Sequence, residues 1–207
     1  KADPTLGVRN PERKKEDGFV AWTEEHVEAY QARWPLGTRQ RVWLDVLLYT
    51  GLRRGDAVRL GRPHTRSGSI KTEKNGVEVP VVILPILQAT LDAGPCGDLT
   101  FVVGENGRPL TKESFGNEFK AACKAAGVPG SAHGVRKRAA TRMADNGATE
   151  AQLMAVFGWT DAKMAAHYTR TANRRRLAAE SIAKLDESGT KCPAPFSPLP
   201  RTLRNVS

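Results

Sequence analysis

Three short stretches of this chain concentrate side chains that can handle a phosphate ester. Thr50-Gly51-Leu52-Arg53-Arg54-Gly55-Asp56 sets an arginine at a helix–turn–helix corner with a carboxylate three residues on. His133-Gly134-Val135-Arg136 opens a helix, and a histidine and arginine three residues apart share one helical face and can meet one substrate group. Gly158-Trp159 is followed by His167-Tyr168-Thr169. Cleaving a phosphodiester without a metal sets the demand. The transition state carries about two negative charges, and guanidiniums can neutralise them by binding non-bridging oxygens in pairs. A nucleophile must attack, and a proton donor must meet the departing oxygen. No Asp/Glu grouping has the pattern of a metal cage, so protein cations would carry the neutralisation, and no cofactor is implied.

The elements that must position these groups follow from periodicity and end signals. Thr23 can cap a helix with Glu24 and Glu25 in its first turn and Val27, Tyr30 and Trp34 inward. A second helix is expected over 38–50, with Val42, Val46 and Tyr49 on one side and Gly51 as its terminator. A short helix from Arg54 to Leu60 follows. The period then changes. Ser69–Glu73 and Val77–Leu84 read as strands joined at Asn75-Gly76, a hairpin signal, and Leu99–Val103 as a third strand. Thr111–Ala126 is amphipathic through Phe115, Phe119, Ala122 and Ala126, and Gly127 stops it. Further helices are predicted over 134–145, 149–157, 161–168 and 171–185. The fold class expected is mainly α with a small antiparallel β-sheet, an α+β arrangement.

Taken in order, these features resemble the tyrosine recombinase (phage integrase) family over about residues 19–185. That family shows a T-G-x-R corner, a lysine in a β-hairpin, an H-x-x-R helix start, a G-H/W site and a tyrosine. Single motifs of this kind arise by chance; five in sequence with the hairpin in place do not. The resemblance implies the catalytic-domain fold of those enzymes. It also implies that Arg53 and Arg136 clamp a scissile DNA phosphate, that His133 hydrogen-bonds it and assists proton movement, and that Tyr168 attacks. The product would be a 3′-phosphotyrosyl intermediate, resealed without ATP. The family's lysine sits just before the hairpin turn, which points to Lys74 as general acid to the 5′ oxygen, with Lys71 the reserve. Trp159 stands where most members have histidine; its indole N–H can donate to phosphate but cannot shuttle protons.

Several residues carry a second reading. Arg54 beside Arg53 suits the surface or another DNA phosphate. Asp56 is either a helix-start carboxylate or, as the resemblance suggests, the group that orients the clamp arginine. His167 suits a structural or DNA-facing role, and Arg174-Arg175-Arg176 a solvated helix face. The 171–185 helix, with Leu177, Ile182 and Leu185, either closes the core or, as in the family, docks on a neighbouring subunit.

Composition agrees with a polyanionic partner. Thirty-two lysines and arginines against 22 acidic residues in 207 leave a formal charge of +10, and cations on phosphates release condensed counterions. The longest apolar run, Val79–Leu87, is short and broken by Pro80 and Pro85, so no membrane span is expected. Lys1-Ala2-Asp3-Pro4 lacks the apolar segment of a secretion signal. Cys96, Cys123 and Cys192 read as reduced thiols of a cytoplasmic protein, nucleoid-associated if bacterial. Residues 1–18 have linker composition and 186–207, with Pro193, Pro195, Pro198 and Pro200, that of a flexible tail. The resemblance further implies double-stranded DNA as partner, a homo-tetramer on that DNA, DNA-bending accessory proteins, and a helical DNA-binding domain upstream of this fragment. A type IB topoisomerase-like enzyme and a non-catalytic DNA-binding module of the same fold are the alternatives.

Overall fold

Four threonines and a serine fix where helices begin, because a side-chain oxygen at that position satisfies a backbone N–H the helix leaves unpaired. In the computed structural model, which describes residues 18–187 and side chains as far as Ile182, the order is α1 (Glu24–Arg33), α2 (Arg39–Thr50), α3 (Arg54–Ala57), α4 (Arg62–Ser67), β1 (Ser69–Lys71), β2 (Glu78–Pro80), α5 (Pro85–Ala93), α6 (Lys112–Ala125), α7 (Ala132–Asp145), α8 (Glu150–Phe157) and α9 (Ala162–Glu187). Thr23, Thr38, Thr111, Ser131 and Thr149 cap α1, α2, α6, α7 and α8. The N-terminal linker and proline-containing tail expected from composition, and Cys192, lie almost wholly outside the described residues.

Helix α2 is the centre of the core. Its residues Val42 to Leu48 are all buried, so it is covered on every side, with α7 and α5 as its main neighbours. An aromatic cluster fills the space beside it: Trp22 stacks on Phe119 at 6.1 Å, Tyr30 lies 5.7 Å from Phe119, and Trp43 meets Phe115 edge-on at 5.8 Å. Buried Asp45 accepts hydrogen bonds from Arg41 Nε (2.8 Å) and the Thr90 hydroxyl (2.6 Å), tying α2 to α5. Glu24 on α1 clamps α7 by accepting from Arg138 and from Arg142, whose Nε lies 2.8 Å away.

The predicted mainly α fold with a small antiparallel sheet is the one observed, but four expectations need correction. The hairpin exists, pairing Ser69 with Pro80 and Lys71 with Glu78, yet Asn75-Gly76 does not form a two-residue turn. Six residues, 72–77, connect the strands, closed by Thr72 N–H to Val77 O (2.9 Å) and Gly76 N–H to Thr72 O (3.0 Å). Leu99–Val103 is no strand: only Val103 bridges, to Pro109. Proline has no N–H to extend a ladder, and the Phe101 N–H goes to Leu60 O instead. Helix α5 begins directly after the expected strand end at Leu84, over residues for which the sequence suggests no element. Pro85 suits a first helical position, and Leu87, Thr90 and Leu91 bury one face. Finally, the two helices predicted over 161–168 and 171–185 are one, α9, since no Gly or Pro interrupts 169–171. Its second half does not close the core: Leu177 and Ile182 are exposed.

The Glu24 clamp has a pH signature. Hydrogen bonding to Arg142 lowers its carboxyl most; burial opposes this, and the bond to Arg138 and the charges of both arginines add to the lowering, taking it from the usual 4.5 to about 2. A depressed carboxyl stabilises above its unfolded value and loses that contribution as pH falls through the folded one. Glu24→Gln should therefore lower the unfolding temperature at pH 7, by a few degrees for the roughly 1 kcal/mol that solvent screening leaves to a partly exposed pair. The difference from wild type should vanish as pH falls from about 4.5 to about 2. A deficit unchanged by acid in thermal melts would remove the clamp from the stability of the fold.

Candidate functional site

Arg53, Lys74, His133 and Arg136, distant in sequence, line one cleft of about 640 Å³. Arg53 reaches it from the N-cap of α3, where its extended backbone (φ −69°, ψ 155°) turns the chain between α2 and α3. Lys74 comes from the exposed β1–β2 turn. His133 and Arg136 lie one helical turn apart at the start of α7.

Arg136 is buried, 5% exposed, and its environment explains how a charge survives there. One terminal nitrogen donates to Gly51 O and the other to Phe157 O at 2.7 Å. The guanidinium also lies over the Phe157 ring (4.9 Å) and near Trp159 (5.9 Å), a placement that the ring quadrupole favours. Burial, then the charge of Arg53, pulls it down to about 9, with Asp56 and Tyr168 opposing, so it stays charged at neutral pH. Two of its five N–H groups are spent on carbonyls, leaving three for a ligand. Gly51 must be glycine here: it is left-handed (φ +63°), and a Cβ would sit 2.8 Å from the Phe157 ring.

Arg53 supplies the complementary signal. Its Nη1 is buried without a hydrogen-bond partner, a costly state for a charged group that an anion would relieve. The carboxylate of Asp56, also buried, makes no hydrogen bond to the Arg53 guanidinium; it accepts the Glu73 N–H at 2.8 Å. It thus joins the arginine corner to the lysine-bearing turn.

His133 faces the cleft beside Phe19, their rings 5.2 Å apart. Partial desolvation first, then the cations Lys137, Arg136, Arg53 and Lys74, hold its imidazole below its usual pKa. It is neutral at pH 7.

Trp159 and Tyr168 are not among the residues lining the cleft. They adjoin it through Arg136, in a stack of rings: Phe157 to Trp159 at 4.8 Å and 20°, Trp159 to Tyr168 at 5.5 Å and 8°. Tyr168 is half-buried on α9, next to Thr169, whose hydroxyl reaches Glu150 Oε1 (3.2 Å) on α8. Burial raises the phenol pKa, with Arg136 pulling the other way, so the hydroxyl is protonated at neutral pH. His167 is exposed and edge-on to Tyr168 at 5.2 Å. Arg175 pairs with Asp145 and Arg176 with Glu180, both on the surface.

The hairpin lysines separate cleanly. Lys74 lines the cleft and Lys71 does not; the Lys71 stem passes over Gly76. Sequence reasoning missed Lys112, Asn117 and Lys120 on the cleft wall. Asn117 and Lys120 lie off the buried stripe of α6, so the helical period that marks the stripe would have located them; Lys112, one turn before Phe115, lies on the stripe's own side and carries no such signal. With them the wall carries six cations (Arg53, Arg54, Lys74, Lys112, Lys120, Arg136) against two carboxylates, Asp56 and Glu73.

Comparison with known proteins matches this geometry to a family. The tyrosine recombinase XerD of Listeria innocua serovar 6a is 27% identical over 193 residues, covering 84% of this chain and 65% of that protein. The chain thus spans just under two-thirds of its relative. Among solved structures, the XerA recombinase superposes with a TM-score of 0.61 at 17% identity, over 83% of this chain and 66% of that one. A lambda integrase tetramer bound to a Holliday junction gives 0.62 at 22%, over 75% and 49%. These likenesses establish the fold. The sequence model of the phage integrase family matches residues 23–175, from the cap of α1 to beyond Tyr168, and the chain belongs to that tyrosine recombinase family.

Proposed function

We propose that residues 19–185 form the catalytic domain of a site-specific DNA recombinase that cuts and rejoins strands through Tyr168. The observation that carries this reading is the cleft itself, where a partly unsatisfied Arg53 and a buried, charged Arg136 converge with Lys74 and His133. Such a wall suits a phosphodiester of double-stranded DNA, and preorganised donors act most strongly where water is excluded.

In the proposed reaction Arg53 and Arg136 hold the non-bridging oxygens. The Tyr168 oxygen attacks phosphorus, its bond to phosphorus forms, and the bond to the 5′ oxygen breaks. Neutral His133 takes up the phenol proton, and Lys74 gives a proton to the departing oxygen. Trp159 donates its indole N–H to the phosphate and backs the tyrosine ring. A 5′ hydroxyl of the partner strand then attacks the phosphotyrosine and restores the phosphodiester, so the bond energy is retained and no ATP is consumed. Strand exchange between two sites needs several active sites at once, in keeping with a tetramer on DNA, assisted by proteins that bend it. The likeness to a lambda integrase tetramer on a Holliday junction supports that assembly. Among the described residues no helix is long and apolar enough to cross a membrane.

A nicked duplex with a randomised centre tests the chemistry whatever sequence the enzyme recognises, since cleavage releases a short strand and traps the enzyme. Wild-type chain should yield a DNA adduct on denaturing gels, and the captured sequences define the substrate. Tyr168→Phe should yield none while its melting temperature holds. An adduct persisting in that variant would overturn Tyr168 as nucleophile, and none with wild type would leave a binding module. Arg53→Ala should slow adduct formation about 10²–10³-fold, the usual cost of one preorganised donor.

The state of His133 sets the acid side of the profile. Because its pKa is lowered in the free protein, the acid-side fall of the second-order cleavage rate should come at lower pH than an ordinary histidine would give. His133→Gln should lower the plateau and flatten that fall. An unaltered profile would remove His133 from proton transfer.

A further inference from the structure

The turn that carries Lys74 is exposed, and the hairpin behind it is only three residue pairs long. A lysine on such a support has no fixed aim of its own, because four rotatable side-chain bonds and a mobile turn would spread its ammonium over a wide volume. Asp56 holds the Glu73 N–H on one side of Lys74, and a second tie restrains the other side. Asn75, the next residue, points its amide inward: Nδ2 donates to Gly158 O at 3.1 Å, and Oδ1 accepts from the Thr72 hydroxyl at 2.8 Å. The Thr72 hydroxyl shares its proton with Val77 O at 2.9 Å. The amide is thus held at both ends, one end inside the turn and the other on the corner after α8.

The receiving corner is built for this approach. Gly158 ends α8 in the left-handed region (φ +58°), its own N–H bonded to Met154 O. A Cβ on it would lie 2.8 Å from the Val79 Cγ2 atom and within 4 Å of Thr72 and Val77. The absence of a side chain therefore lets the hairpin lie against the corner while the Gly158 carbonyl stays free for Asn75. Gly158 precedes Trp159, whose ring stacks on Tyr168.

We infer that Asn75 is a positioning residue: its amide latches the Lys74 turn to the Gly158-Trp159 corner, so that the proton donor for the leaving oxygen keeps a set relation to the residues around Tyr168. This inference rests on the proposed strand cleavage and on Lys74 as its general acid.

The experiment uses the captured duplex in two forms, with oxygen or with sulfur at the 5′ bridging position. When Tyr168 attacks the sulfur form, the phosphorus–sulfur bond breaks and the sulfur departs as a thiolate, which is stable without a proton. That substrate does not need the general acid. Asn75→Asp keeps the shape and the Oδ facing Thr72 but replaces the donor to Gly158 O with an acceptor, and Asn75→Ala removes both bonds. On the oxygen form each should slow adduct formation by about tenfold or more, approaching Lys74→Ala, within the range a general acid supplies. On the sulfur form Lys74→Ala and both Asn75 variants should return to within a few-fold of wild type.

Selective rescue also separates aim from folding, since a loosened fold would cleave both forms slowly. A defect in Asn75→Asp that persists equally on sulfur, or wild-type speed on oxygen, would overturn the latch while leaving strand cleavage in place. Failure of sulfur to rescue Lys74→Ala would overturn both the general acid and the latch. No adduct from wild-type chain on either form would overturn the recombinase reading itself.

Discussion

The guanidinium of Arg136 is the hinge on which the site is assembled. It donates to Gly51 O at the corner leaving α2 and to Phe157 O at the corner leaving α8, so one planar group joins two helix ends that are far apart in sequence. Helix C-termini leave carbonyls unpaired and partially negative, and a buried cation between two of them satisfies both at once. The arrangement also solves the problem of burying the cation. Its desolvation is offset by two charge-assisted hydrogen bonds and by the Phe157 and Trp159 rings. Removing the arginine would leave two carbonyls and a stacked ring system without their common partner.

Around this hinge the site is organised in two shells of opposite character. On the cleft side, Arg53 keeps a buried N–H unsatisfied, and four further cations stand along the wall. Packing like charges together destabilises a free protein, and it is the state that an entering phosphate improves most. On the other side, the Phe157–Trp159–Tyr168 stack is apolar and half-buried. It keeps the phenol protonated and its ring flat against indole. The cleft cations and the aromatic stack thus both adjoin Arg136, and His133 on the cleft wall is held below its usual pKa by partial desolvation first and by its cationic neighbours second.

Much of the fold is legible in the residues themselves. The caps at Thr23, Thr38 and Thr111, the terminator Gly51, and the apolar stripe of Phe115 and Phe119 each follow from local rules that a helix obeys whatever surrounds it. Two of the misreadings come from competition for backbone hydrogen bonds. Phe101 gives its N–H to Leu60 rather than to a neighbouring strand, and Thr72 gathers Gly76 and Val77 into a wide turn where Asn75-Gly76 alone suggests a tight one. Asn75 itself is legible only as a turn former, because its partner, Gly158 O, lies 83 positions away.

The same division holds for the site. Residue types and order, read through the family resemblance, nominate Arg53, Lys74, His133, Arg136, Trp159 and Tyr168 as a set that suits metal-free phosphate chemistry. Spacing within one helix also determined that His133 and Arg136 share a face. Only the tertiary structure decided that Lys74 rather than Lys71 enters the cleft, that the Asp56 carboxylate binds the Glu73 backbone rather than the Arg53 guanidinium, and that Trp159 and Tyr168 stack behind Arg136 instead of lining the wall. Sequence records which groups are available and their local period. Which of two equivalent cations faces inward, and which carbonyl a buried donor finds, depends on how separate helix ends meet, and that is set by packing across the whole core.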